Sequence, residues 1–166
     1  MTMFSDVIQS FYHYIENDVD FFDYFDLDED ECMEVAGQRA EVLLNEATSY
    51  ISRKLILENV FSKTEGVTST IRGRTETNMA FTETLNNMEI NLLVKTMFLI
   101  YLQRDITKLR TFHSVMTSSD LNLYSPANER KTFMAMVQQY EDNLKVEISE
   151  YQMYDRNTGT FVQICE

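Results

Sequence analysis

The 166-residue chain has no Trp, one Pro, four Gly and two Cys, and no Lys or Arg precedes Arg39. Each shortage excludes something. A β-sandwich or barrel needs many tight turns, so poverty in Gly and Pro predicts long helices joined by few connections. Cys32 and Cys165 stand far apart without a CxxC or a Cys/His cluster, which leaves no signature of a zinc site or a disulfide framework. With no signal-peptide pattern at the start, both are expected to be reduced thiols. Long apolar runs are also missing. The most apolar stretch, Ile90 to Leu102, is about thirteen residues and contains Lys95, short of the ~20 that a membrane span requires. The missing bases matter most. Eleven acids lie between Asp6 and Glu34, whereas the rest of the chain is close to neutral, and the net charge is −13. The basic footprint of a nucleic-acid-binding protein is absent; repulsion from phosphate, or docking on a basic partner, is expected instead.

What is present is helical periodicity. The chain is long enough for one cored domain, residues 1–166, and 44% hydrophobic residues argue against wholesale disorder. Val7, Ile8, Phe11, Tyr12, Tyr14 and Ile15 step at helical spacing and predict a short first helix over 6–17, with Ser5 as N-cap. Asp28 followed by Glu31 forms a capping pair, and the apolar positions Val35, Ala36, Ala40, Leu43, Leu44, Ala47 and Ile51 extend a helix over 29–57. Asn86 with Glu89 opens another over 87–112, apolar on more than one side. Ser125 and Pro126 start a last helix over 126–154, with Phe133, Val137, Tyr140, Leu144, Ile148 and Tyr151 on one face. The expected fold class is all-α: a bundle of three long helices plus a short N-terminal one. Residues 58–84 lose the helical period, are rich in Thr and Ser, and hold Arg72 and Arg74. Their alternation permits an extended or hairpin-like arm, or disorder. Residues 155–166 form a short C-terminal tail, with Gly159 as its turn residue.

The stretch "DVDFFDYFDLDEDE", Asp18 to Glu31, invites a calcium reading. An EF-hand loop needs oxygen ligands at alternate positions, a glycine at the sixth and a glutamate at the twelfth. Registers starting at Asp18 or at Asp26 both lack the glycine, and each lacks one further ligand. No metal or other cofactor is expected. Phe21, Phe22, Tyr24, Phe25 and Leu27 are too apolar for a solvated tail and fit a staple between the first and second helices. Asp18, Asp20, Asp23 and Asp26 are left to face a partner or repel DNA. Catalytic signatures are missing as well. His13 and His113 are isolated, neither Cys has a basic neighbour to make a thiolate, and no GxSxG, HExxH, P-loop or ExxH motif occurs. The composition points to a protein that works by contact. The cationic Arg72 and Arg74, with Arg104, Lys108 and Arg110, complement the acidic N-terminal third in a way that suits head-to-tail self-association.

Four segments in succession carry a resemblance: "DFFDYFDLDEDECMEVAGQRAEVLLNEA", "MEINLLVKTMFLIYLQRDITKL", "SDLNLYSPANERKTF" and "YQMYDRNTG", together over half the chain. Their order resembles the head–tail connector (adaptor, or head-completion) proteins of long-tailed bacteriophages. The resemblance implies a mostly helical virion protein at the neck, present in the host cytoplasm during assembly. It implies a homo-oligomeric ring, commonly dodecameric, beneath the portal protein, with DNA passing through without specific binding and a neck or tail-completion protein docking below. By position it assigns portal or inter-subunit contact to Tyr151, Tyr154, Asp155, Arg156 and Phe161, and it makes the 58–84 arm an element that orders on assembly. Simple core packing is the other reading of Tyr151. The middle segment is where related sequences vary most, and the acidity of the N-terminal third is not a family requirement. The competing class is a small acidic DNA mimic that inhibits a host nucleic-acid-binding protein, although aromatics interrupt the stripe of carboxylates that a mimic needs. A scaffolding or small-terminase-like oligomer is a third reading; its terminase form would need a basic helix-turn-helix that is not found.

Overall fold

The computed structural model describes residues 1–16, 19–22, 27–55, 60–71, 74–115, 126–156 and 158–161, with backbone alone over 19–20, 64–71, 74–78, 106–115 and 126–130. Its helices are α1 (Phe4–Tyr14), α2 (Val19–Phe22), α3 (Glu29–Lys54), α4 (Asn87–Val115) and α5 (Pro126–Gln152). Between α3 and α4 runs an antiparallel hairpin of β1 (Lys63–Ile71) and β2 (Arg74–Phe81), and a two-residue-per-strand hairpin of β3 (Tyr154–Asp155) and β4 (Thr160–Phe161) follows α5. The expected helical bundle with a hairpin-like arm is the observed architecture.

Helix α4 is the axis. It packs against α1, α3 and α5, and Leu92, Leu93, Val94, Met97, Leu99, Tyr101 and Leu102 are all buried along it. This is why its apolar positions outrun one face. Even Thr96 is buried, and its hydroxyl donates to the Leu92 carbonyl at 2.6 Å, so no polar atom is stranded there. Helix α3 contributes Ala36, Ala40, Leu43, Leu44, Ala47 and Ile51, and α5 contributes Val137, Leu144, Ile148 and Tyr151. Among the described residues, two ion pairs tie the helices laterally: Lys95–Glu147 at 2.6 Å between α4 and α5, and Arg104–Glu46 at 2.7 Å between α4 and α3.

The caps explain the boundaries. Asp28 accepts from the Glu31 amide at 2.8 Å while the Glu31 carboxylate faces the Asp28 amide, as the sequence predicts. The same reciprocal pair joins Asn86 and Glu89 at the start of α4, at 2.7 and 2.9 Å. At α1 the expectation fails: Ser5 lies inside the helix and Met3 is its N-cap. The Asp6 carboxylate takes the Met3 amide at 3.0 Å, and Met3 also pairs with Ala80, so the chain leaves an edge of β2 and turns straight into helix. Helix α3 stops at Lys54, short of the expected Leu57. Helix α5 stops at Gln152, because Tyr154 opens the C-terminal hairpin. The Ser125 cap lies outside the described residues.

The arm is anchored at its base. Phe81 and Ala80 are fully buried, Phe61 nearly so, and Phe4 of α1 lies 4.8 Å from the Phe81 ring. The register runs from Lys63 opposite Phe81 to Ile71 opposite Arg74, with an irregularity between Thr64 and Val67.

Candidate functional site

One end of the bundle collects the start of the chain, the base of the arm, the start of α4 and the C-terminal hairpin. Chain polarity brings them there. The Gln152 side-chain amide donates to the Lys54 carbonyl at 2.8 Å, and the Tyr151 hydroxyl donates to Glu89 Oε1 at 2.7 Å. The ends of α3 and α5 therefore lie beside the start of α4. The first residues seal the same end: Phe81 donates its amide to the Thr2 carbonyl at 2.9 Å, and Leu85 donates to the Thr2 hydroxyl at 2.8 Å. The terminal ammonium of Met1 reaches the Thr84 hydroxyl.

Glu89 is the centre of this junction. Its side chain has no exposed surface, and an isolated carboxylate in such a place is costly. Three groups satisfy it: the Asn86 amide at 2.7 Å, the Tyr151 hydroxyl at 2.7 Å, and Arg156 with Nε at 3.0 Å. The Arg156 guanidinium also reaches the Glu83 carboxylate and the Thr84 carbonyl. A planar five-donor group can serve several oxygens at once, which a lysine ammonium could not do in one plane. Burial and the hydrogen bond to Glu89 push the Tyr151 phenol well above its ordinary pKa. Outside the junction, Tyr154 stacks on Tyr151 with centroids 6.5 Å apart, Phe161 meets Tyr154 edge-on at 5.6 Å, and Phe161 is 59% exposed. Gly159 turns the hairpin with φ at +68°, a region where a side chain would be strained, and its amide donates to the Asp155 carbonyl at 2.9 Å.

Tyr151, Tyr154, Asp155, Arg156 and Phe161 thus fall in one cluster. Tyr151 and Arg156 are engaged within the chain, and Phe161 faces outward. Arg74 begins β2 opposite Ile71, with its side chain outside the described residues; Arg72 lies wholly outside them. Asp18, Asp23 and Asp26 lie outside them too, as do the side chains of Asp20, Lys108 and Arg110. Sequence reasoning used Glu89 only as a cap and missed its burial. The available signal was the dense apolar run around it, which puts a carboxylate where a hydrophobic side chain would otherwise sit.

The acidic stretch resolves at the opposite end of α3. Phe21 is fully buried, with its ring 5.5 Å from Phe11 and from Tyr101, and Arg39 lies over it at 4.5 Å. The first base in the chain thus sits against the aromatic staple, between Phe21 and Tyr101, in cation–π geometry. Leu27 is 40% exposed and adds little to the staple; Tyr24 and Phe25 lie outside the described residues. Asp28, Glu29, Asp30, Glu31 and Glu34 are all exposed, and so are Arg53 and Lys54 at the far end of the same helix. Among the described residues, no three His, Cys, Asp or Glu side chains converge as metal ligands would, and no helix is long and apolar enough to cross a membrane.

No family model matches the chain, and no match is found among curated proteins or solved structures.

Proposed function

We propose that this protein is a structural virion component, a head–tail connector that forms a ring beneath a portal protein, extends the DNA channel and docks the next neck or tail-completion protein. The observation that carries the reading is the separation of charge along α3. Five exposed acidic residues, Asp28 to Glu31 and Glu34, stand at its start, and Arg53 and Lys54 are exposed at its end, roughly 40 Å away at ~1.5 Å per residue. Different faces of opposite charge on one subunit favour heterologous contacts, which close into a ring when the rotation allows. The succession of segments that resembles connector proteins supports the same reading. A net charge of −13 suits a channel wall past which DNA must slide, since each cationic phosphate contact would retard it. The C-terminal hairpin, with Phe161 exposed, supplies a second contact surface at the opposite end of α3 from the carboxylates. In this role the chain needs neither a catalytic step nor a cofactor.

Light scattering of the purified chain, alone and mixed with a candidate portal protein, tests the proposal. The expected result is a weakly associating subunit that joins the portal as a ring. A monomer that ignores the portal and competes with DNA for a DNA-binding enzyme would overturn it in favour of mimicry, the reading that the stretch before Arg39, without Lys or Arg, otherwise favours.

A further inference from the structure

We propose that Arg156 is a latch that keeps the C-terminal hairpin stowed on the start of α4, and that the hairpin swings free while the helical body stays folded. The inference rests on the junction geometry and is independent of the connector reading.

Three observations converge. The hairpin is too small to hold itself: two residues in each strand make a ladder far below what is stable alone in water. One side chain ties it down at several points. Among the described residues, its polar ties to the start of α4 run through the Arg156 guanidinium, to Glu83, to the Thr84 carbonyl and to Glu89. Tyr154 packs against the core and stacks on Tyr151, and Phe161 stays exposed beyond it.

The third observation concerns what release would leave behind. A buried carboxylate that loses its only partner is severely destabilising, and a latch built on such a pair could never open. Glu89 is different. Without Arg156 it keeps the Asn86 amide and the Tyr151 hydroxyl, both at 2.7 Å, and it sits at the positive end of the α4 dipole. Tyr151 belongs to α5 and is held by the core, so it does not leave with the hairpin. The body is therefore self-sufficient in the open state. Opening exposes the inner face of Tyr154 and adds it to Phe161 as a continuous aromatic surface.

Hydrogen exchange on the full chain, read by mass spectrometry or NMR, tests this. In the wild type, the Gly159 amide and the β3–β4 cross-strand amides should be protected, though less than those of α4. Arg156→Ala should speed exchange of the hairpin amides by at least about tenfold while those of α3, α4 and α5 stay at wild-type rates. Arg156→Lys, which keeps the charge and loses the fork, should give an intermediate effect. Glu83→Gln touches only the half-exposed partner and should give a smaller, equally local acceleration, which keeps the test sound if Arg156→Ala folds poorly. Unprotected hairpin amides in the wild type, unchanged rates in the variants, or acceleration spread evenly through α4 and α5 would each overturn the latch.

Discussion

A carboxylate with three donors around it is worth more than any one of them, and at the residue scale Glu89 sets the hierarchy. Replacing it with Ala leaves the Asn86 backbone amide, the Tyr151 hydroxyl and part of the Arg156 fork without an acceptor. The expected loss is about 2–3 kcal/mol of unfolding free energy, seen as a lower urea midpoint with unchanged slope. Tyr151→Phe removes one donor of the three, so it should cost about 1–2 kcal/mol; equal costs for the two variants would contradict the network. The phenols also predict a pH dependence. Burial, and then the Tyr14 hydroxyl at 3.0 Å, raise the Tyr140 pKa, and burial and then Glu89 raise that of Tyr151. Both folded values lie above the unfolded one, so the stabilisation is complete below about pH 10 and declines as pH rises further, where the unfolded chain releases protons that the fold retains. Denaturation at alkaline pH should show that slope, and Tyr140→Phe with Tyr151→Phe should flatten it. The absorbance titration of the native protein should correspondingly lack two phenols until it unfolds. The Asn86–Glu89 cap was legible in the sequence because it is local. The pairing of Glu89 with Arg156 was not, because it needs the antiparallel return of α5, which no local pattern encodes.

At the scale of elements, the same distinction explains which boundaries the sequence predicts. Asp28 and Asn86 announce their helices because each cap lies within one turn of the helix it starts. Ser5 misleads because the start of α1 is set from far away: pairing of Met3 with Ala80 fixes the backbone, and Asp6 then caps the Met3 amide. The arm could be read only as extended or disordered, since two short strands pair through a register that alternation does not specify. The aromatic staple lies between these cases. Its apolar character was plain, but its reach to Tyr101 of α4 and its cover by Arg39 were not. From that reach follows a prediction. Phe21→Ala empties a site lined by Phe11, Tyr12, Phe22, Tyr101 and Arg39, so it should cost about 3–5 kcal/mol, far more than a link confined to α1 and α3 would. Leu27→Ala, at an exposed position, should move the midpoint little. Thermal unfolding of the two variants separates them; a small effect of Phe21→Ala would mean that α2 is a loose appendage.

At the scale of the whole molecule, charge separation is the property that single contacts do not explain. The carboxylates at the start of α3 suit its own dipole, which alone would account for Glu29, Asp30 and Glu31. Glu34 lies beyond the first turn and takes no part in that; it is exposed, as is Arg53 at the other end, whose Nε donates to the Ser49 carbonyl at 3.1 Å, and both can serve a neighbour. If copies meet acidic end to basic end, association must weaken with salt, because exposed charges are screened within about 10 Å at moderate ionic strength. Glu34→Lys should then weaken self-association a few-fold, and Arg53→Glu likewise. The double variant carries the opposite pairing on one chain, so it should recover much of what each single change loses. Sedimentation velocity at low and high salt reads all four proteins. A structural effect of either substitution would make the double variant worse than the singles, and mere solvation would leave all four alike. Recovery in the double variant, confined to low salt, is an outcome that neither alternative produces.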